Sequence, residues 1–442
     1  MYLAAGCKRR KGPLRKKHLN AKWTCRTVLI TLSRSWPFIL EGWLFIFLER
    51  KKGLTTRLYA FLLFYAVIYM GNAVYGTFLP VYLYNVKFSQ EQIGMLLSLG
   101  PLVAMLGQPI WGALGDRAKT KNSVLALLLI GSGISIMFFP LSHQFIYLLI
   151  LICVFMFFQT SIFALSDAIT LEELDRRPKW NFGWIRLGGT IGFATMSLVF
   201  GIVAKSHINS MFPVYAGTML AGLLLLWCFP PAASRQANVT GKRFRELFRN
   251  GKLMFYLGIN FIVQVTLGYY YAFFPIYFKE MGADSLLLGW SMVISSMSEL
   301  PFLLFSGWIF KRVSISMILI IAALASGIRW FLFSIIDQPY WILPVQALHG
   351  VIFIVLSVTL ATFINREVPA EWKASGQTLN GLLSLGAARI IGSFLGGIMS
   401  AAYGMRQVFL YSSWVSMATV VVFGLVVWLR RKQNVPSPSL TK

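Results

Sequence analysis

Phe78-Leu79-Pro80-Val81-Tyr82 returns 195 residues later as Phe273-Phe274-Pro275-Ile276-Tyr277. At the same offset Gly94 meets Gly289, Gly112 meets Gly307, and Arg117 meets Arg312. Several matches at one spacing point to an internal duplication rather than to coincidence among apolar residues. The rest of the chain is almost wholly apolar. Of its 442 residues, 57% are hydrophobic, 15% aromatic and 13% charged, and the mean hydropathy is +0.67. A soluble chain of this length needs more charge to cover its surface, so the composition predicts an all-α, polytopic membrane protein. Two similar helical sets in a bilayer form a pseudo-symmetric pair, and such pairs usually enclose a path for solute between them.

Apolar runs at 58–84, 91–115, 122–141, 144–169, 184–204, 209–230, 253–279, 286–309, 315–336, 340–364, 376–402 and 405–429 predict twelve transmembrane helices. Each is long enough to cross ~30 Å of hydrocarbon at ~1.5 Å per residue. They divide into two six-helix halves, 56–230 and 253–430, joined by a cytoplasmic linker at 231–252 and followed by a cytoplasmic tail at 431–442.

A net charge of +26 would ordinarily point to nucleic acid, but its distribution argues against that partner. Fourteen of the 41 Lys and Arg precede residue 58. In the remaining loops, one face carries twenty basic residues, among them Arg176, Arg177, Arg235, Lys242, Arg243, Arg245 and Arg431. The other face carries only Lys87, Lys205, Lys279 and Arg406. This asymmetry predicts that both termini and the linker are cytoplasmic and that the protein sits in the cell membrane. Cys7, Cys25, Cys153 and Cys228 show no CxxC spacing, so neither a disulfide framework nor a zinc site is indicated.

Residues 1–55 fit this plan badly. They are basic and contain one weak apolar run, Trp36–Leu48, broken by Glu41, which is too short to span a bilayer. Three readings compete: a cytoplasmic extension on anionic lipid, an organelle transit segment, or sequence translated upstream of the native start. The last is preferred, because nothing in the segment resembles the rest of the chain.

Gly112-Ala113-Leu114-Gly115-Asp116-Arg117, after the second run, resembles the G-x-x-x-D-R-x-G-R loop of the major facilitator superfamily, with Lys119 in place of the later glycine. Its glycine lets helices approach, and Asp116 with Arg117 can clasp helix ends in one of two states, so Gly112, Asp116 and Arg117 form a candidate gating loop. Within that superfamily the chain resembles the branch of lactose permease, nucleoside–proton symporters and phenylpropionate permease. Phe182-Gly183-Trp184-Ile185-Arg186-Leu187-Gly188-Gly189-Thr190-Ile191-Gly192-Phe193 resembles that branch's F-G-x-x-R-x-x-G-x-x-G-(W/F) pattern. Asp167 precedes the arginine by nineteen residues. Ser298-Glu299-Leu300-Pro301, Arg329-Trp330 and Leu348-His349-Gly350 resemble its S-E-x-P, R-W and L-H-G elements. Two departures prevent copying sugar specificity or proton route. Ile352 stands where lactose permease has a glutamate, and Glu299 sits about one turn from its counterpart. Drug–proton antiporter patterns are missing from the fourth and fifth runs.

Charges in mid-membrane cost ~2.5–3.5 kcal/mol or more, so they usually face partners or a wet cavity. By residue count, Arg329, His349 and Arg389 lie ~24–26 Å and Glu299 ~18 Å above the basic face, with Asp167 and Arg186 lower at ~10–14 Å. A Glu299–Arg329 pair with His349 beside it is geometrically open. The same count suggests two ionic clusters, one per half. Glu299 is either a structural ion-pair partner or a protonatable carboxylate, with Pro301 loosening the helix beside it; the functional reading is preferred. Glu299, Arg329, His349 and Asp167 are therefore the proton-coupling candidates, although a packing role for His349 stays open. Asp167 with Arg186 is either a helix-positioning pair or a substrate clamp. Arg389 has no obvious acidic partner in its helix pair: it either invites an anionic or strongly polar solute or is satisfied by a backbone carbonyl or by Glu299. With Arg186 and Arg389, the residues Asn72, Tyr75, Gln159, Gln264, Tyr270 and Asn380 make up the candidate substrate lining.

These features predict a secondary transporter, working as a monomer in the lipid bilayer. It would import a small polar solute (sugar, nucleoside or aromatic acid) with protons by alternating access. A proton-coupled exporter of drugs or metabolites, or a non-transporting membrane sensor, are the alternatives. The sequence contains no nucleophile elbow, metal-ligand cluster or phosphate loop, so neither an enzyme nor a cofactor is expected.

Overall fold

The computed structural model describes residues 55–175, 182–232, 248, 250–369 and 372–433. The basic extension up to residue 54, most of the linker and the end of the tail lie outside the described residues, as do Arg176, Arg177 and Lys179. Among the described residues twelve helices are long and apolar enough to cross a membrane. Spans 1 to 6 are Tyr59–Asn85, Gln90–Arg117, Lys121–Leu141, Phe145–Asp175, Phe182–Ala204 and Ile208–Leu226. Spans 7 to 12 are Gly251–Glu280, Ser285–Arg312, Ile315–Ile335, Pro339–Glu367, Ser375–Tyr403 and Met405–Leu429.

Short polar caps separate these apolar helices. Ser89 and Gln92 form a reciprocal capping box at the start of span 2. Thr120, Asn250, Asp284 and Ser314 each accept a backbone N–H at the start of spans 3, 7, 8 and 9. Each such cap is worth ~1 kcal/mol because it satisfies a donor that the helix itself leaves unpaired.

Glycine determines where helices touch. A Cβ on Gly188 would fall 2.5 Å from the Leu62 carbonyl oxygen, and one on Gly192 would fall 2.2 Å from that of Ala66, so span 5 lies directly on span 1. Span 11 repeats the device against span 7, where a Cβ on Gly392 would meet the Val265 carbonyl at 2.2 Å. The first and last six spans meet through spans 2 with 11 and 5 with 8. A Cβ on Gly94 would lie 2.6 Å from the Ser393 carbonyl, and one on Gly289 would lie 2.3 Å from that of Ser197. Both contacts are near the face opposite the termini.

The other repeat-related pair behaves differently. Nothing lies within 4 Å of a Cβ built on Gly112 or on Gly307, near the terminal face. Span 8 shows the same contrast along its length: Leu288, Gly289, Ser291 and Ser295 are buried, whereas no residue of Leu300–Arg312 is. Spans 2 and 8 are therefore packed against the opposite set of spans at the face away from the termini and unpacked from it at the terminal face. The helix approach expected at Gly112 is not made in this state; Gly94 makes it instead.

The repeated stretch that reveals the fold helps to form the outer closure. Val81 and Asn85 from one copy and Pro275 and Lys279 from the other line a cavity of about 480 Å³ there. Two polar links cross it. The Lys205 ammonium lies 2.8 Å from Asp284 Oδ2, and Lys279 donates to Asn85 Oδ1. The Lys205 hydrogen bond, with the Leu287 backbone N–H, holds the Asp284 carboxyl below the usual aspartate range.

Candidate functional site

The first six spans bring three polar side chains together. Tyr65 of span 1 donates to Asp167 Oδ1 of span 4 at 2.5 Å. Arg186 Nη1 of span 5 lies 3.5 Å from the other carboxylate oxygen. This follows from the glycine contacts of span 5, because Arg186 sits just before Gly188 and Gly189, where the span presses on span 1. Tyr69, one turn beyond Tyr65, is within electrostatic range of Arg186, Asp167 and Glu299.

In the last six spans the site is built on two interrupted helices. Span 8 consists of Ser285–Met297 and Leu300–Arg312, with Ser298 and Glu299 at the junction. Pro301 is at the start of the second piece, where its missing N–H removes a donor that would have continued the ladder. Span 10 breaks at Ala347 between Pro339–Gln346 and Leu348–Glu367. The two breaks cross. Gly350 N–H donates to Ser298 Oγ at 2.8 Å, and a Cβ at Gly350 would fall 1.9 Å from the Ser298 carbonyl, so only glycine fits. Backbone irregularity in a membrane is tolerated where it is buried in protein or lines a cavity, and this crossing supplies the site's central residues.

Arg329 is fully buried beside the crossing. Its guanidinium lies 4.3 Å over Tyr270 and 5.0 Å from the Trp330 ring. One nitrogen donates to Gln346 Oε1, which also accepts from Ser295 at 2.9 Å and Tyr270 at 3.1 Å. The other contacts His349 Nδ1 at 2.9 Å. Arginine can only donate, so His349 Nδ1 accepts and its ring proton sits on Nε2. That Nε2 points to Tyr271 Oη at 3.1 Å and to Glu299 Oε1 at 3.6 Å. Glu299 and Arg329 therefore do not form the direct pair that residue counting left open, because His349 stands between them. Glu299 is also in electrostatic range of Arg186 of the first six spans.

Arg389 follows a π-helical segment, Leu382–Ala387, in span 11. Its guanidinium stacks on Tyr271 with the carbon 4.3 Å from the ring centroid. Tyr75 packs its ring against Phe155 and Tyr215 and is in electrostatic range of Arg389, and Gln159 is buried.

The remaining sequence candidates lie elsewhere or serve packing. Asn380 accepts from Asn260 at 3.1 Å and from Ser384 at 3.0 Å, bracing span 7 against span 11. Gln264 is buried, and its Oε1 has no partner among the described residues. Asn72 is half-buried on span 1, one turn from Gly76. Gly112 and Arg117 are exposed and Asp116 half-buried at the terminal face, away from the central cluster. Sequence reasoning missed Tyr65, Tyr69, Tyr271 and Gln346. For Gln346 a signal existed: an amide two residues after Pro344 in an otherwise apolar run.

A family model described as the MFS_1 like family matches residues 56–411. An uncharacterized transporter, YwbF, of Bacillus subtilis (strain 168) is 25% identical over 390 residues, covering 86% of this chain and 96% of that one. The maltose permease of Geobacillus stearothermophilus is 24% identical over 386 residues, covering 85% and 96%. The crystal structure of the nucleoside transporter NupG superposes with a TM-score of 0.75 at 18% identity, covering 84% of this chain and 98% of that one, and so shares the fold.

Proposed function

The chain belongs to the MFS_1 like family of the major facilitator superfamily of secondary transporters, and from that premise we propose that it imports a small polar organic solute together with protons. The solute is a sugar, nucleoside or aromatic acid, bound near the midplane between the two sets of six spans. Transport proceeds by rocking one set against the other. Both termini are cytoplasmic, as the basic loops favour, and the protein works as a monomer in the cell membrane.

One observation carries the coupling. Glu299 sits at the break in span 8, 3.6 Å from His349 Nε2 and within electrostatic reach of Arg186 from the other set. His349 cannot take a second proton on Nδ1 while Arg329 occupies it, so the exchanging proton resides on Glu299. Protonated Glu299 releases its hold on His349 and Arg186, the solute occupies the space between them, and the spans rock. Loss of the proton to the cytoplasm then resets the pair.

The test is transport by Glu299→Gln in proteoliposomes. Retained solute exchange with lost uphill accumulation supports the coupling; unaltered uphill accumulation removes Glu299 from it. Assays in inverted vesicles separate import from proton-driven export.

A further inference from the structure

We propose that Arg389 is the docking point for a carboxylate on the transported solute, so that the carrier moves a monoanion together with a proton. This rests on the transport reading above and narrows the solute class at the same central site.

The root of Arg389 is fixed. A Cβ on Gly268 would fall 2.9 Å from Arg389 Cα, and Gly392, one turn on, is pressed against span 7 in the same way. Its plane is fixed as well, by the stack on Tyr271. Stacking occupies the face of a guanidinium and leaves its N–H edges free to bind. Among the described residues those edges meet no carboxylate and no hydrogen-bond acceptor, and Nε is buried without a partner.

The other two central arginines differ. Arg186 has Asp167, and Arg329 has His349 and Gln346. Of the three central arginines only Arg389 has no polar side-chain partner among the described residues. A fixed guanidinium without a counter-charge is costly in a bilayer interior. A planar carboxylate matches its fork with two parallel hydrogen bonds and cancels the charge, which a neutral hydroxyl cannot do.

Tyr75 of span 1 is within electrostatic reach of Arg389 from the first six spans. A solute held by Arg389 at one end therefore reaches both sets of helices with its body. With the proton on Glu299, proton and anion together carry no net charge, so uptake follows the pH gradient and not the membrane potential.

The test uses the full chain in detergent and solutes in acid–neutral pairs: 3-phenylpropionate with 3-phenylpropanamide, benzoate with benzamide, and glucuronate with glucose. Maltose and uridine are added as further neutral probes. At least one acid is expected to raise the melting temperature where its neutral partner does not. Arg389→Gln then raises the acid concentration needed by about tenfold to a hundredfold, with Arg389→Lys intermediate. Should Arg389→Gln fold poorly, the acid–neutral contrast in the unmutated protein still decides the matter. So does uptake of the binding acid in liposomes with and without a potassium–valinomycin potential.

The proposal is overturned if no acid of the panel stabilises the protein, if a neutral solute stabilises it and Arg389→Gln alike, or if uptake responds to the potential. The first two leave proton-driven transport of a neutral solute standing, and the third leaves transport of an acid with more or fewer than one proton. A protein that binds an acid through Arg389 yet moves nothing would instead sink the transport reading.

Discussion

Gly94→Ala should force the closed face open. In the structure a Cβ at Gly94 falls 2.6 Å from the Ser393 carbonyl oxygen and 2.8 Å from Gly397 Cα. Both are backbone atoms on a packed helix and cannot rotate away. To reach ordinary contact near 3.4 Å, span 2 must retreat from span 11 by about 0.8 Å. Inserting one methyl into such a contact costs ~1–3 kcal/mol, which at tenfold per ~1.4 kcal/mol shifts the balance away from the closed face by about 5- to 150-fold.

The readout is thiol labelling from that face. Val81 is 3% exposed and lines the outer cavity, so Val81→Cys reports its opening. The background removes Cys7, Cys25, Cys153 and Cys228. Labelling by a charged maleimide should accelerate with Gly94→Ala, by up to the factor above, until the open state dominates. Gly217→Ala, with nothing within 4 Å, should leave it unchanged. If Gly94→Ala labels at the parental rate with its melting temperature intact, the glycine contact is not what holds this face shut.

Three further outcomes are expected. Lys205→Ala removes the exposed ion pair with Asp284, and since such pairs are worth ~0–1 kcal/mol, Val81→Cys labelling should rise only a few-fold. The carboxyl of Asp284 is held below the usual range, so its contribution is present above the unfolded-state value and lost only as pH falls through the lowered one. Labelling, divided at each pH by that of a free thiol to remove the thiolate fraction, should therefore be flat from about pH 8 to pH 5, and a rise of that ratio in the window would refute the assignment. Arg329→Met leaves His349 Nδ1 buried without its donor and should cost ~1–3 kcal/mol, seen as a lower melting temperature in detergent; an unchanged melting temperature would show that the guanidinium does not hold the histidine.

The twelve spans were legible because apolar length is a strong signal that survives any detail of packing. The closeness of Asp167 and Arg186 was legible too, since ionised residues stand out in apolar runs and depth can be counted along a regular helix. Counting fails where the helix is irregular. The breaks at Ser298–Glu299 and Ala347, and the π segment at Leu382–Ala387, each reset which way the following side chains point. A residue added to or dropped from the ladder turns the following helix by about 100°. That is why the depths of Glu299 and Arg329 left a direct pair open while His349 takes the place between them. Tyr65 and Tyr271 were hidden for another reason: among 17 tyrosines nothing in the sequence separates one beside a buried charge from one in ordinary packing.

Gly94 and Gly289 are matched by the repeat and are both pressed against a facing carbonyl, whereas Gly112 and Gly307 are matched in the same way and face open space. Spans 2 and 8 thus each carry one glycine in use and one in reserve, at opposite ends of the membrane. A rigid set of spans that rocks about the centre closes one end as it opens the other, so the reserve glycines are where contact forms in the alternate state. Leucine at both, Gly112→Leu with Gly307→Leu, should cost nothing in the present state and obstruct the other. Val81→Cys labelling should fall, and solute exchange should slow by tenfold or more if the obstruction reaches ~1.4 kcal/mol. Labelling that rises, or exchange that stays at the parental rate, would mean that the open glycines are merely unpacked and that the alternate state closes elsewhere.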